Sequence, residues 1–239
     1  MRGLEVQLTA RDAAALLGIT ERQIYGYIDD GEIPFFRVQD QYRFNRTELL
    51  EWALTRRLPV QTAFLGDEEG TDAARTSSLA RALAAGGVHH GVPGSDRESA
   101  LREVVARMPV GSDDDRELVY GILIARENCG STAVGDGIAI PHVRSPVVSG
   151  TSAGSITLCT LEKPVAFGAP DKQPVHTIFT IVSPTIQAHL MLLGKLASAL
   201  HQPAFREAVL ARAPAAAILD AAERAEAGAA APKPAGTAT

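Results

Sequence analysis

Residues 125–146 read ARENCGSTAVGDGIAIPHVRSP, and this segment sets the architecture of the larger part of the chain. Its apolar run at 138–140 follows directly on the glycine-punctuated turn at 135–137. Such a run predicts a buried strand that enters from a turn. Pro141 cannot continue a ladder of backbone hydrogen bonds, so we expect His142 to emerge where the backbone leaves the sheet. A histidine in that position is held rigidly, and one ring nitrogen stays open to a partner.

Charged and hydroxyl side chains surround His142 in the sequence. Arg126, Glu127 and the hydroxyls of residues 131–132 precede it, and Arg144 follows it. Cations and hydrogen-bond donors beside a neutral imidazole are what a phosphoryl group requires. We expect Glu127 to orient Arg126 or to face solvent. A histidine that only caps a strand is the alternative interpretation.

The pattern REN-x-GST-x-x-GDGIAIPH resembles the active-site segment of phosphotransferase-system enzyme IIA domains of the fructose, mannitol and nitrogen-regulatory class. The resemblance extends over residues 78–225. It implies a layered α/β fold with a mixed sheet, helices on both faces and an active cleft at strand ends. It also implies that a histidine accepts a phosphoryl group on Nε2 from an HPr- or NPr-like histidine phosphocarrier protein. By position in the pattern, the acceptor is His142 and the supporting arginine is Arg126. The second active-site histidine falls on His189, in the segment AHLMLLGKLA, which resembles the family's helix after the last core strand.

The chemistry of these residue types agrees with the roles that the resemblance implies. Phosphoryl transfer between imidazoles depends on alignment and charge stabilisation, which the planar fork of Arg126 can supply. His189 lies near the start of a predicted amphipathic helix, where a phosphoryl group is favoured. A zinc site built from His142, His176 and His189 is a rival, but no H-x-x-x-H or H-E-x-x-H spacing supports it. We therefore expect no metal and no cofactor.

The first quarter of the chain has the helix start and stop signals of a small helical module. Capping boxes at Thr9 and Thr20 predict two helices separated by a short turn at Gly18, which is a helix-turn-helix. Strand-like runs around residues 39–40 predict a hairpin wing, and Asn45 caps a third helix. The frame of LLGIT, GEIP, YRF and LLEW is similar to the MerR/excisionase-type winged helix-turn-helix.

The resemblance to a DNA-binding module predicts a set of candidate contacts on the second helix and around the last wing strand: Arg22, Gln23, Tyr25, Arg43 and Arg46. Residues 1–65 contain no lysine, and acidic residues slightly outnumber the arginines. Because DNA affinity comes largely from neutralised phosphates, we expect weak binding by a monomer and specific binding by a homodimer. The alternative is that this module docks proteins and does not bind DNA.

The two resemblances, together with composition, divide the chain into four predicted parts: a winged helix-turn-helix at 1–65, a linker at 66–77, a mixed-sheet α/β domain at 78–225 and a disordered tail at 226–239. The formal net charge of −5 gives no general attraction to nucleic acid. No apolar run is long enough to span a bilayer, and the first residues lack a signal peptide. We therefore expect a cytoplasmic protein that does not enter a membrane.

Two cysteines, Cys129 and Cys159, lie far apart without a C-x-x-C pattern, which argues against a disulfide framework. Taken together, the patterns predict a phosphohistidine carrier used mainly for regulation. In that interpretation, phosphorylation of His142 controls transcription through the helix-turn-helix module.

Overall fold

The computed structural model describes residues 7–56, 58–61, 78–142 and 154–230. The linker predicted at 66–77 and Arg144 lie outside the described residues. The elements of the described part, in chain order, are β1 (Gln7–Leu8), α1 (Ala10–Leu17), α2 (Glu21–Asp29), β2 (Phe36–Val38), β3 (Gln41–Asn45), α3 (Arg46–Thr55), α4 (Leu79–Gly86), β4 (Val88–Val92), α5 (Arg97–Arg107), α6 (Asp113–Asn128), β5 (Ala133–Gly135), β6 (Ile138–Ala139), β7 (Ser155–Val165), β8 (Val175–Val182), α7 (Ile186–His201), α8 (Pro203–Leu210) and α9 (Ala215–Ala230).

The helix-turn-helix has the caps that the sequence predicts. Thr9 and Thr20 form reciprocal capping boxes at the starts of α1 and α2. Gly18 ends α1 with φ of 62°, a left-handed conformation that glycine adopts without steric cost. Asn45 caps α3 by accepting hydrogen bonds from the backbone N–H groups of residues 47 and 48. Each cap satisfies backbone donors that a helix start would otherwise leave unpaired.

The predicted wing is present as the antiparallel pair of β2 and β3. Its two-residue turn, Gln39 and Asp40, has φ of 47° and 61°, the left-handed conformation that matches the twist of a tight hairpin. The short strand β1 pairs with the other edge of β3, which gives a three-stranded sheet of order β1-β3-β2. The sequence does not predict β1, since two residues carry no periodicity.

A five-stranded sheet of order β4-β7-β8-β6-β5 forms the larger domain. β4 is parallel to β7 and β6 is parallel to β8, whereas the other two neighbouring pairs are antiparallel. One core lies between the sheet and α4, α7 and α9, and a second lies between the sheet and α5 and α6. The predicted α/β fold, with a mixed sheet covered on both faces, is confirmed.

The segment that carries His142 folds as a hairpin of β5 and β6. Asp136 and Gly137 form its two-residue turn, with φ of 52° and 69°. A Cβ at 137 would meet the ring of His176 and would have to adopt the positive φ, so glycine is favoured there. His142 forms a single parallel bridge to Ile181 of β8, and it therefore lies at the strand end, as predicted.

The C-terminal boundary predicted from composition is wrong by five residues. α9 continues to Ala230, whereas the composition predicts a disordered tail from residue 226. The reason is that Glu226 bonds to the rest of the fold: its carboxylate accepts a hydrogen bond from the Leu79 N–H at 2.9 Å and pairs with Lys195 at 2.9 Å. Residues 231–239 lie outside the described residues.

The two modules share one apolar core. Helix α3 of the helix-turn-helix packs against α7 and β5 of the α/β domain. Buried side chains of α1, α2 and α3 join the same cluster as those of α4, α7 and α9. In the part of the chain that is described, no helix is long and apolar enough to cross a membrane.

Candidate phosphoryl-acceptor site

The ring of His142 is fixed through its Nδ1 atom. Nδ1 lies 2.7 Å from the backbone oxygen of Ile140, a carbonyl that only accepts, so Nδ1 carries the hydrogen of this bond. The bond aims Nε2 away from the sheet. The residue is only 2% exposed, which is less than an open strand end would give. Nε2 is the ring atom left for chemistry, as the resemblance implies.

His189 lies beside His142, as the sequence predicts for the second histidine. It belongs to the first turn of α7, which Thr185 caps by accepting a hydrogen bond from the Ala188 N–H at 3.0 Å. Its ring stacks on that of His142, with centroids 5.2 Å apart and planes inclined by 29°. The start of α7 therefore brings an imidazole and the positive end of a helix dipole to the acceptor.

Arg126 reaches the same place from the last turn of α6. Its Nη1 donates to the backbone oxygen of Gly130 at 3.0 Å, and this bond fixes the guanidinium plane. Its Nη2 donates to Glu51 Oε2 at 2.8 Å. Among the described residues, its buried Nε has no hydrogen-bond partner, so the fork retains a donor.

Glu127 has neither of the roles expected from the sequence. It is 2% exposed, and its carboxylate accepts hydrogen bonds from the backbone N–H of Thr132 at 3.1 and 3.2 Å and from the Thr132 hydroxyl at 2.6 Å. The side chain thus points into the domain and not toward Arg126 or solvent. It holds the loop between α6 and β5 in place.

Glu51 is the residue of the site that sequence reasoning missed. It projects from α3 of the helix-turn-helix module, and its Oε1 lies 3.1 Å from His142 Nε2. One signal points to it: Glu51 is a charged residue within the apolar run LLEWAL. Since α3 is buried on most sides, a charge in its middle needs a partner.

A cavity of about 380 Å³ joins these groups. Its walls come from both modules, with Glu51 and Trp52 on one side and Arg126, Ser131 and His142 on the other. Within the described ranges, no group of three or more His, Cys, Asp or Glu side chains is placed to hold a metal ion. The cavity combines an imidazole, a guanidinium and a hydroxyl, a set of groups that suits a phosphoryl group.

The candidate DNA contacts on α2 lie at the surface. Arg22, Gln23 and Tyr25 are all exposed, on a helix that packs mainly against α1. Gln23 is partly engaged, because its Oε1 accepts hydrogen bonds from the N–H and the hydroxyl of Thr20. Tyr25 lies edge-on to Tyr42 of the wing, with centroids 6.0 Å apart, which links α2 to the wing.

The two wing arginines differ from expectation. Arg43 is half-buried, and its guanidinium donates to the backbone oxygen of Tyr42 and to the side chain of Gln41. Arg46 is only 8% exposed, which leaves little of its surface for the predicted phosphate contact. The reason is its place at the start of α3, where the side chain packs into the module.

Comparison with known proteins identifies both modules. Residues 83–224 match the family described as "Phosphoenolpyruvate-dependent sugar phosphotransferase system, EIIA 2", and residues 8–57 match the helix-turn-helix domain family. A nitrogen regulatory protein of Pseudomonas aeruginosa is 35% identical over 122 residues, which cover 48% of this chain and 75% of that protein. A PTS system fructose-specific EIIA component of Haloferax volcanii is 29% identical over 121 residues, which cover 49% of this chain and 77% of that protein.

A solved structure is also similar to this chain. The crystal structure of the nitrogen regulatory protein IIA-Ntr from Neisseria meningitidis aligns with a TM-score of 0.49 and 25% identity, covering 64% of this chain and 99% of that chain. The family match spans more than half of the sequence and includes His142, Arg126 and His189, whereas Glu51 lies in the helix-turn-helix match. The chain belongs to the EIIA 2 family of the phosphoenolpyruvate-dependent sugar phosphotransferase system and carries a helix-turn-helix domain ahead of it.

Proposed function

We propose that this chain is a regulatory phosphoryl acceptor, in which His142 Nε2 receives a phosphoryl group from an HPr- or NPr-like histidine phosphocarrier protein of the cytoplasm. The observation that carries the proposal is the bond from His142 Nδ1 to the Ile140 oxygen at 2.7 Å. This bond fixes the tautomer, so that in the neutral ring Nε2 has the lone pair. In support of the proposal, His189 stacks on the ring of His142, and the carboxylate of Glu51 links Nε2 to Arg126.

The transfer needs few groups. The P–N bond to the carrier's imidazole breaks as the bond from His142 Nε2 to phosphorus forms, and the leaving imidazole keeps the electron pair. Arg126 stabilises charge on the phosphoryl oxygens, and the positive end of α7 contributes in the same direction. No covalent assistance beyond the acceptor is required.

A regulatory role is favoured over sugar uptake by two facts. Relatives with 35% and 37% identity bear the name nitrogen regulatory protein, and this chain joins the acceptor domain to a helix-turn-helix. We infer that the phosphorylation state of His142 is read out by that module. A transcriptional response is the form of readout that the exposed α2, with Arg22, Gln23 and Tyr25, supports.

A second candidate function has its own observation. α3 packs on the α/β domain and places Glu51 at the acceptor, so the helix-turn-helix already docks a protein surface within the same chain. In this alternative the module is a docking unit that does not bind DNA. DNA titration separates the two candidates.

The acceptor assignment is tested by labelling from a phosphorylated histidine phosphocarrier protein. Wild type should acquire an acid-labile, base-stable phosphoryl group, and His142→Ala should acquire none. His89→Ala and His90→Ala are the matched controls, because they remove imidazoles of β4 outside the cavity. Undiminished labelling of His142→Ala would overturn the assignment.

A further inference from the structure

A single carboxylate bridges the acceptor and its supporting cation. Glu51 Oε1 lies 3.1 Å from His142 Nε2, and Glu51 Oε2 lies 2.8 Å from Arg126 Nη2. Two oxygens on one carbon therefore meet the imidazole nitrogen and the guanidinium at hydrogen-bond distances. An incoming phosphoryl group would place its phosphorus and oxygens against the same two partners.

The bond to Glu51 and the nucleophilic role of His142 exclude one another. Nδ1 already donates its hydrogen to the Ile140 oxygen. A bond between Nε2 and a carboxylate oxygen requires one proton between them, and that proton occupies the Nε2 lone pair. Attack on phosphorus needs the same lone pair to be free. Glu51 must therefore leave before His142 can accept a phosphoryl group.

The side chains of His142, Glu51 and Arg126 are also shielded from solvent. The exposed fractions of the side chains are 3% for His142, 15% for Glu51 and 20% for Arg126. The carrier protein presents its phosphohistidine on a protein surface, so direct transfer requires that surface to reach Nε2. One wall of the cavity comes from the helix-turn-helix module and lies between Nε2 and an approaching carrier. This wall is formed by Pro34, Glu51, Trp52 and Thr55.

Glu51 is placed by a rigid helix and not by a loop. α3 begins at the Asn45 cap and packs against α7 and β5 of the α/β domain. Its buried side chains Leu50, Ala53 and Leu54 belong to the same apolar core as α7, which fixes the helix along its length. A carboxylate held in this way is a preorganised ligand, because little side-chain freedom remains to be lost.

We propose that Glu51 is an internal inhibitory ligand of the acceptor site, which occupies the place of the phosphoryl group and couples the position of the helix-turn-helix module to the phosphorylation of His142. The inference rests on the proposed acceptor role of His142. The coupling acts both ways, since two ligands that exclude one another from one site must each weaken the other. Phosphorylation thus releases α3 from the site, and a docked α3 slows phosphorylation.

The test is the rate of phosphoryl transfer from a phosphorylated histidine phosphocarrier protein to the full chain. Glu51→Ala should accept faster than wild type by about tenfold to 100-fold, the range that one charge-assisted hydrogen bond represents. Glu51→Gln should also accept faster, but by less than Glu51→Ala, because the amide removes the charge while its N–H can still donate to the Nε2 lone pair. The matched control is Glu21→Ala, which removes an exposed carboxylate from the same module.

The outcomes separate the two proposals. If Glu51→Ala and Glu51→Gln are labelled on His142 at the wild-type rate, the inhibitory role of Glu51 is overturned and the acceptor role stands. If acceleration also occurs with Glu21→Ala, the effect is one of net charge and the inhibitory role again falls. If Glu51→Ala carrying His142→Ala is labelled as fast as Glu51→Ala alone, the acceptor assignment itself fails.

Discussion

Glu51 Oε1 and His142 Nε2 lie 3.1 Å apart, although 91 positions separate the two residues in the chain. Each belongs to a different module, and each has a second bond that fixes its direction: Glu51 to Arg126, and His142 to Ile140. The helix-turn-helix therefore touches the α/β domain at the atom where phosphoryl chemistry is expected. This contact gives the chain a physical route from phosphorylation to the module.

The supporting groups of the site are expected to change the transfer rate without accepting phosphate. Glu51 bonds to Arg126 in the wild-type protein. The contributions of Arg126 and His189 are therefore best measured in a Glu51→Ala background. There, Arg126→Ala and His189→Ala should each slow transfer by about 10²–10³-fold, the usual loss for one preorganised donor. Arg107→Ala is the control, since Arg107 pairs with Glu103 on α5. Unchanged rates for both variants would place Arg126 and His189 outside the reaction.

Glu127 is expected to affect stability. Its buried carboxylate accepts three hydrogen bonds from Thr132, so Glu127→Gln should lower the free energy of unfolding by about 1–3 kcal/mol in urea denaturation. Glu117→Gln on the same helix is the matched control. Its carboxylate is 66% exposed and pairs with Arg102, so the loss should stay below about 1 kcal/mol. Equal losses for the two variants would contradict the structural role of Glu127.

Local sequence signals predict most of the fold. The capping boxes at Thr9 and Thr20 and the turns at residues 39–40 and 136–137 are formed by adjacent residues, so their chemistry can be read from the chain. His142 and Arg126 follow from one specific pattern and its resemblance to a family, and His189 follows from the resemblance of a second segment, AHLMLLGKLA. Their proximity is visible in the stacked imidazoles and in the shared contact with Glu51.

Errors in the sequence-based predictions arise where contacts between distant parts of the chain determine the surroundings of a side chain. Arg46 reads as a basic surface residue, but the position of α3 buries it. Glu127 is adjacent to Arg126 in the sequence, yet its carboxylate bonds to Thr132, in the loop between α6 and β5. The role of Glu51 depends on how one module packs against the other, and no local pattern carries that information. Only its isolation within an apolar run points to a buried partner.

The two cysteines are expected to differ in reactivity. Burial raises the pKa of the Cys159 thiol to about 12, whereas Cys129 is exposed at the end of α6. At about pH 8 Cys159 stays protonated and shielded, so a disulfide reagent should titrate one thiol in the native protein and two after unfolding. Cys129→Ser should leave no reactive thiol in the native state. Rapid modification of Cys159 in that variant would contradict the packing of β7.

If DNA binds to the exposed surface of α2 and the wing, binding should depend on Arg22 and Arg43. Arg22→Ala should relax base preference, while Arg43→Ala should weaken binding to all sequences and reduce the salt slope by about 0.9 for each phosphate that is no longer neutralised. Arg46→Ala should lower stability and leave the slope unchanged, because the side chain is buried. Fluorescence titration against genomic fragments at low and moderate salt measures all three. If no fragment outcompetes random DNA, the docking-unit alternative is the better account.

The coupling between the modules can be followed through Trp52, the one tryptophan of the sequence. It follows Glu51 on α3, is 8% exposed and lines the cavity of His142. The measurement is acrylamide quenching of its fluorescence before and after phosphorylation, with His142→Ala treated in the same way. Quenching should increase on phosphorylation of wild type and should not change in His142→Ala. Identical quenching of phosphorylated and unphosphorylated wild type would contradict the displacement of Glu51 by the phosphoryl group.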